Sequence, residues 1–327
     1  MSIREVPAAS APPIAQRRVA EGVHVDQRIP SVRGLFLFEQ VAPRGMGQGI
    51  LLAVLPALVL FFIFYGVPLG TVFVTSLSAW SFRSFNWIGL DNYAALFSDR
   101  TFWRAAQNTL VYCLASMLIQ VPLGILAGVL VAQRLWGWRF FRAALFIPVV
   151  ISGPAFALTF SVFYNPEFGL LNSLLGWFGV LGKHDWLFNI NTALPSVIAT
   201  YVFIFGFIMI LVATEIAAIP RELYEAAEID GATWLQRELA ITLPSLRNVA
   251  GTCLLLTLLG TIKLFDVVYI MTRGGPGNRT ATLGSYGYDR YLNDQWGYAN
   301  AVGVLTILLG LALIVSVRRI FRIGSAD

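Results

Sequence analysis

The sequence contains few charged residues. Only 13% of its 327 residues are Asp, Glu, Lys or Arg, whereas an ordinary soluble domain contains about 25%. Hydrophobic residues make up 57% of the chain, and one soluble core of this size cannot bury so much apolar surface. This excludes an ordinary soluble domain and predicts that a lipid bilayer surrounds most of the chain.

Residues that bind metals or form disulfides are also scarce. The sequence has two histidines, His24 and His184, and two cysteines, Cys113 and Cys253, which lie in apolar stretches. Neither pair indicates a disulfide framework, a metal site or a catalytic cluster. No GxxxxGK[ST] phosphate loop occurs, so we expect the chain to bind no nucleotide or other cofactor and to be no enzyme by itself.

Long apolar windows predict six transmembrane helices. Five windows are free of charge and long enough for the roughly 20 helical residues that cross a bilayer, and the sixth contains Lys263 and Asp266. The windows are residues 49–75, 105–133, 143–163, 192–214, 249–271 and 297–317. Membrane strands would alternate apolar and polar residues, which these windows do not. The predicted fold class is therefore an all-α membrane protein.

The distribution of basic residues predicts the orientation. Of the 23 Lys and Arg residues, 15 fall on one side of the predicted spans, seven on the other, and Lys263 within a span. The 15 are Arg4, Arg17, Arg18, Arg28, Arg33, Arg44, Arg134, Arg139, Arg142, Arg221, Arg237, Arg247, Arg318, Arg319 and Arg322. By the positive-inside rule both termini are cytoplasmic. The net charge of +5 then reflects orientation, and we expect no nucleic-acid partner.

This topology divides the chain into three parts. Residues 1–48 form a polar cytoplasmic tail, residues 49–317 the six-helix membrane domain, and residues 318–327 a cytoplasmic C-terminal tail. The first long apolar run begins near residue 49, too far along for the short apolar region of a signal peptide, so we expect no cleaved signal.

One cytoplasmic loop differs from the others. Residues 215–248 contain nine charged side chains, six of them acidic. The acidic residues are Glu215, Glu222, Glu225, Glu228, Asp230 and Glu238. Two interpretations remain open from composition: an amphipathic helix that merely connects two spans, or a surface that docks another protein.

Local signals in this loop predict two short helices joined by a glycine turn. Pro220 suits a helix start and Gly231 a helix end. Thr233 and Gln236 have the spacing of a capping box that begins the second helix. Pro244 is expected to end it.

The amino-acid sequence of the loop resembles the EAA loop of ATP-binding cassette (ABC) importer permeases. Tyr224-Glu225-Ala226-Ala227 is followed by Asp230-Gly231-Ala232 and by Ile241-Thr242-Leu243-Pro244 with the family's spacing. The resemblance implies a type I importer permease whose loop docks an ATPase. The residues that it assigns to ATPase coupling are Glu225, Ala226, Ala227, Asp230, Gly231, Ile241, Leu243 and Pro244. Glu238 stands where that family commonly has an apolar or aromatic residue.

Two further stretches resemble carbohydrate importer permeases. One comprises Trp87-Ile88-Gly89-Leu90-Asp91-Asn92-Tyr93, Phe102-Trp103 and Asn108-Thr109-Leu110. The other comprises Phe265-Asp266, Met271-Thr272, Gly274-Gly275-Pro276 and Tyr298-Ala299-Asn300-Ala301. The resemblance implies a multi-pass subunit of the bacterial inner membrane that works with a second permease, an ATPase dimer using ATP and Mg, and an external solute-binding protein.

A substrate pathway is expected midway through the fourth and fifth spans, which line the sugar path in that family. Its hydroxyl and aromatic candidates are Thr200, Tyr201, Phe203, Phe207 and Thr261. Lys263 and Asp266, three residues apart and expected on one helix face, form either a structural ion pair or part of this pathway. Glycerol phosphate esters or other polar solutes remain alternative substrates, and an ion-coupled secondary transporter a less favoured function.

Overall fold

The computed structural model describes residues 46–179 and 183–321, so most of both predicted tails lies outside it. The chain divides into two compact units, Met1–Phe64 and Tyr65–Asp327. The first contains one described helix, α1 (Met46–Phe61), which is apolar. Its side chains from Ala53 onward are exposed, with Leu58 at 52% and Phe61 at 62%. Such a surface suits lipid.

The described part of the second unit consists of helices, connecting segments and one small hairpin. Its helices are α2 (Val67–Thr75), α3 (Asp91–Ser98), α4 (Arg100–Ala115), α5 (Val121–Ala132), α6 (Trp138–Val150), α7 (Gly153–Phe163), α8 (Leu170–Trp177), α9 (Ala193–Val202), α10 (Gly206–Ala218), α11 (Arg221–Ile229), α12 (Trp234–Arg237), α13 (Leu243–Ser245), α14 (Arg247–Ile262), α15 (Asp266–Thr272), α16 (Leu283–Leu292) and α17 (Trp296–Phe321). Strands β1 (Ser78–Trp80) and β2 (Phe85–Trp87) pair antiparallel, with Ala79 opposite Asn86. Wider π-helical turns occupy Phe62–Gly66, Ser116–Gln120 and Glu238–Thr242.

Among the described residues, four helical stretches are long and apolar enough to cross a membrane, and two bent pairs raise the number to six. The four are Ala53–Thr75, Arg100–Ala132, Ala193–Ala218 and Trp296–Arg319. The predicted all-helical membrane fold is thereby confirmed, whereas the orientation of the termini stays a prediction.

The third apolar window, residues 143–163, is not one straight helix. Helices α6 and α7 meet at a bend of 107°. Pro148 removes a backbone donor near the end of α6, and a proline in the first turn of α7 favours a new helix start. Hydropathy alone does not detect this break, because the window is apolar throughout.

The end of the second helix in the loop at residues 215–248 also differs from expectation. Pro244 was expected to end it, but the helical segment Trp234–Ser245 runs past this proline and bends by 60° into α14. The prediction is wrong. Pro244 lacks a backbone N–H donor, but it lies in the first turn of α13, directly after the π-helical turn Glu238–Thr242, where this donor is not needed.

Helices α5 and α10 pack closely through two glycines. A Cβ on Gly124 would lie 2.6 Å from Cβ of Ile208, and a Cβ on Gly128 would lie 2.6 Å from Cβ of Val212. Small residues at this four-residue spacing let two helices of a membrane protein approach closely. Ile208 and Val212 belong to the buried cluster that α14 completes.

A polar cluster joins the start of α4 to α16. Asp99 precedes α4 and accepts hydrogen bonds from the Thr101 amide at 2.7 Å, the Tyr286 hydroxyl at 2.6 Å and Arg290 at 2.9 Å. Burial, the largest single influence, raises the pKa of Asp99, but these hydrogen bonds and the Arg290 charge together outweigh it and hold the pKa below its usual value. The ionised carboxylate therefore stabilises this junction.

Candidate functional sites: an exposed loop and a cavity at a helix break

The first helix of the loop at residues 215–248 ends as its sequence predicts. Helix α11 is followed by Gly231 with φ +75°. The amide of Ala232 donates to the carbonyl of Ala227 at 2.9 Å, and that of Gly231 to Glu228 at 3.0 Å. This is a Schellman motif, and its left-handed residue explains why glycine stands there.

The second helix begins at the predicted capping box. Gln236 Oε1 accepts from the Thr233 amide at 2.7 Å, and Thr233 Oγ1 accepts from the Gln236 amide at 3.4 Å. The two halves of the loop are joined by a hydrogen bond of 2.8 Å between the hydroxyls of Tyr224 and Thr242. Helix α11 is therefore fixed to the segment that leads into α14.

The outer face of α11 carries both acidic and apolar side chains. Glu225, Ala226 and Asp230 are exposed, Leu223 is 50% exposed, and Ile229 is 87% exposed. Among the described residues, no salt bridge involves Glu225 or Asp230, whereas Glu228 pairs with Arg237. An exposed face of this kind is typical of an interaction surface.

The remaining residues assigned to coupling lie on the second half of the loop. Leu243 is 54% exposed, Pro244 is exposed, and Ile241 is partly buried. Glu238, which departs from the family pattern, is also partly buried and accepts a hydrogen bond of 3.4 Å from Gln133. The acid thus connects the loop to the end of α5.

The second candidate site lies at a break between α9 and α10. Helix α9 ends at Val202 and α10 begins at Gly206, where a Cβ would lie only 2.2 Å from the carbonyl oxygen of Leu145. The carbonyl of Ile204 in the break accepts a hydrogen bond of 3.0 Å from Gln120 Nε2. Broken helices with free carbonyls are tolerated within membrane proteins where they adjoin a cavity.

A cavity of about 300 Å³ adjoins this break. Polar groups from three elements line it, namely Gln120, Tyr201 and Thr257, together with the aromatic ring of Phe207. Gln120 is 6% exposed, and its Oε1 has no hydrogen-bond partner among the described residues. The cavity combines aromatic surface with hydrogen-bonding groups, as small-molecule sites do.

The structure brings three of the seven predicted pathway residues together. Tyr201 and Phe207 line the cavity, and Thr261 Oγ1 lies 3.5 Å from the Tyr201 hydroxyl and 3.2 Å from Ser116 Oγ. Thr200 is fully buried and donates instead to the carbonyl of Ser196. Phe203 does not line the cavity; it is 53% exposed and its ring lies 6.5 Å from that of Phe160.

Lys263 and Asp266 do not share a helix face. Helix α14 ends at Ile262 and α15 begins at Asp266, so the prediction is wrong because the chain leaves the helix between the two charges. Within the described part of the chain no salt bridge joins them. Lys263 lines a separate cavity of about 510 Å³ with Tyr288 and Tyr291, while Asp266 Oδ2 lies beside Gly153.

Gln120 and Thr257 are the polar residues of the cavity that sequence reasoning missed. Gln120 is the one side-chain amide between Leu110 and Ala132, a stretch without charged residues. An amide of this kind two residues before Pro122 is a signal of a polar contact inside a span, since membrane interiors disfavour unpaired polar groups.

The fold and these two sites define a helical membrane transport protein with an exposed loop beside its spans. The chain belongs to the family described as binding-protein-dependent transport system inner membrane component, which matches residues 120–323. This confirms the resemblance to ABC importer permeases and the assignment as a multi-pass inner-membrane protein. It also decides against an ion-coupled secondary transporter, and it assigns the chain to the non-catalytic membrane component.

Individual relatives and a solved structure are also components of ABC transporters. The probable ABC transporter permease protein YurN of Bacillus subtilis is 38% identical, over 84% of this chain and 97% of its own length. The trehalose/maltose transport system permease protein MalF of Thermococcus litoralis is 31% identical, over 83% and 92% respectively. A bacterial alginate ABC transporter was crystallised with an alginate pentasaccharide-bound periplasmic protein. One of its chains has a TM-score of 0.73 at 25% identity, covering 86% of this chain and 98% of that one.

Proposed function

We propose that this chain is the membrane-spanning permease of an ATP-driven sugar importer, coupled to an ATPase through residues 215–248. Its partners are then a second permease, an ATPase dimer that binds ATP and Mg, and an external solute-binding protein. The observation that carries the coupling role is the exposed acidic and apolar face of α11, whose Glu225 has no salt bridge within the described residues. Such a face suits a partner surface that offers basic side chains.

Sugar is the substrate class that the cavity and the relatives support together. Two of the compared transporters are named for carbohydrates, trehalose or maltose in one case and alginate in the other. In this chain, Tyr201 and Phe207 offer aromatic surface, while Gln120 and Thr257 offer polar groups to hydroxyls. The proposed pathway residues are therefore Tyr201 and Phe207 from the predicted set, with Gln120 and Thr257 added. Thr261 is fully buried and contacts Tyr201 from outside the cavity lining.

Coupling follows from the chain's connectivity. Helix α10 carries Phe207 at the cavity and ends at Ala218, just before α11. Helix α14 carries Thr257 at the same cavity and begins at Arg247, at the end of the loop. A movement imposed on α11 by a closing ATPase dimer is transmitted to both cavity walls, which gives alternating access.

Charge reversal at Glu225 tests the docking role. Tagged chain carrying Glu225→Lys is co-expressed with its ATPase and second permease. The amounts of ATPase and of second permease that copurify with the chain are then measured. The reversal places like charges opposite each other at the interface, which costs several kcal/mol. The amount of ATPase recovered should therefore fall at least about tenfold. Recovery of the second permease should not change.

Glu167→Lys is the matched control, because it makes the same charge change at an exposed residue outside the loop, where Glu167 pairs with Lys183. Equal ATPase recovery from the Glu225→Lys chain and wild type would contradict the docking role. Transport by vesicles that contain no ATPase would contradict the proposed function as a whole.

A further inference from the structure

A basic cavity of about 530 Å³ lies beside the coupling loop, apart from the proposed sugar pathway. Three arginines from different parts of the chain line it: Arg134 in the turn after α5, Arg142 in α6 and Arg221 at the start of α11. The indole of Trp138 also lines it, and the Arg134 guanidinium lies 5.8 Å from the centre of that ring.

The positive charge of this cavity is only partly compensated by its own lining. Glu238 is the one acidic residue among the described lining residues, and it is engaged by Gln133. Within the described residues, no salt bridge involves Arg134, Arg142 or Arg221. Three guanidinium groups facing one acid leave an excess of positive charge, which favours an anionic ligand.

The walls of the cavity are aliphatic where they meet the spans. Helix α5 contributes Val129 and Ala132, and α10 contributes Ile210 and Ala217. A cavity with cations at one end and aliphatic walls at the other matches an amphiphile better than a water-soluble anion. Basic pockets between membrane helices are known binding places for anionic lipid head groups.

We propose that this cavity binds the phosphate of an anionic phospholipid through Arg134, Arg142 and Arg221, with acyl chain against α5 and α10. Guanidinium groups suit this ligand because they bind phosphate oxygens through paired hydrogen bonds. Because Arg221 begins α11, the bound lipid connects the coupling helix to α5 and α6. The lipid composition of the membrane thereby sets how firmly α11 is held.

The test uses the full chain, delipidated in detergent, and native mass spectrometry. Phosphatidylglycerol and phosphatidylcholine with identical acyl chains compete for the wild type and for a variant combining Arg134→Gln, Arg142→Gln and Arg221→Gln. Wild type should prefer phosphatidylglycerol. The ratio of bound phosphatidylglycerol to phosphatidylcholine should be at least about tenfold lower for the variant, since three charge-assisted contacts are removed.

A variant combining Arg139→Gln, Arg318→Gln and Arg319→Gln is the matched control. It removes the same net charge from residues that do not line the cavity, although Arg139 lies 5.6 Å from the same Trp138 ring. Its lipid preference should equal that of wild type. An equal loss in both variants would show a general charge effect and overturn the proposal.

Two measurements on the wild type keep the test independent of how well the variants fold. In the first, soluble glycerol phosphate is added to the wild type with bound phosphatidylglycerol. Poor displacement of the phosphatidylglycerol supports a lipid ligand. Displacement at a matching concentration identifies a free phosphate ester and overturns the lipid assignment. Absence of any preference for phosphatidylglycerol in the wild type also overturns it.

Discussion

Gln120 is a buried amide whose two polar atoms differ in their hydrogen bonding. Its Nε2 satisfies the carbonyl of Ile204 in the break between α9 and α10, and its Oε1 has no partner among the described residues. A buried acceptor without a partner is costly. Gln120 also lines the cavity beside this break, so we expect its loss to affect the passage of a polar solute.

Gln120→Met should impair transport more than it impairs folding. Methionine has similar length but cannot donate to Ile204 or accept from a substrate, and a buried polar group left unpaired costs about 1–3 kcal/mol. We expect the initial rate of solute uptake by the assembled transporter to fall about tenfold, while the amount of chain in the membrane changes little.

Gln107→Met serves as the control for this substitution. Gln107 is an exposed amide on α4 that does not line the cavity, so its loss should leave uptake unchanged. Equal uptake by the Gln120→Met and wild-type transporters would remove Gln120 from the site.

Sequence patterns could predict Tyr201 and Phe207 as cavity residues but not Gln120. The first two lie in a span that resembles the sugar path of a known family, whereas the role of Gln120 depends on Ile204, 84 residues further along the chain. The same limit explains Thr200, which has a suitable hydroxyl but faces the buried interior. A hydroxyl's direction is set by packing, which residue type alone does not reveal.

At the scale of helices, the breaks are the features that hydropathy could not predict. The spans containing Phe203 and Lys263 are continuously apolar or nearly so, yet both leave the helix at those residues. The caps of the coupling loop were predictable because they depend on neighbours three residues apart, as Thr233 and Gln236 show. Breaks depend instead on contacts such as that of Gly206 with the Leu145 carbonyl.

Gly128→Val should disrupt the packing of α5 on α10. A Cβ at this position would lie 2.6 Å from Cβ of Val212 and 3.0 Å from the carbonyl oxygen of Met209, so the two helices must separate. Overpacking of this kind typically costs about 1–3 kcal/mol or more. We expect a lower temperature of thermal unfolding for the purified chain, measured by loss of solubility on heating.

The neutral comparison for this variant is Gly70→Ala. Gly70 also lies in an apolar helix, but a Cβ there would meet nothing within 4 Å. Its unfolding temperature should match or slightly exceed that of wild type, since alanine favours helix. A Gly128→Val chain as stable as wild type would show that α5 and α10 are not held at this distance.

At the scale of the whole chain, the coupling loop and the cavity are linked by short paths. Eleven residues separate Phe207 from Ala218 along α10, and α11 begins three residues later. Tyr224 then holds α11 to Thr242, which precedes α14 and its cavity residue Thr257. Both helices that enter and leave the loop therefore line the cavity, as the proposed coupling to an ATPase requires.

Sided cysteine labelling tests the predicted orientation of this arrangement. Native Cys113 and Cys253 are free but buried, so a membrane-impermeant maleimide should label the wild type weakly. Ile229→Cys places a thiol on the loop at a residue that is 87% exposed, and Phe82→Cys places one beside the hairpin at 79% exposure. If the positive-inside rule holds, intact cells should label only the second variant, and inside-out vesicles only the first. Labelling of Ile229→Cys in intact cells would reverse the orientation and place the loop out of reach of a cytoplasmic ATPase.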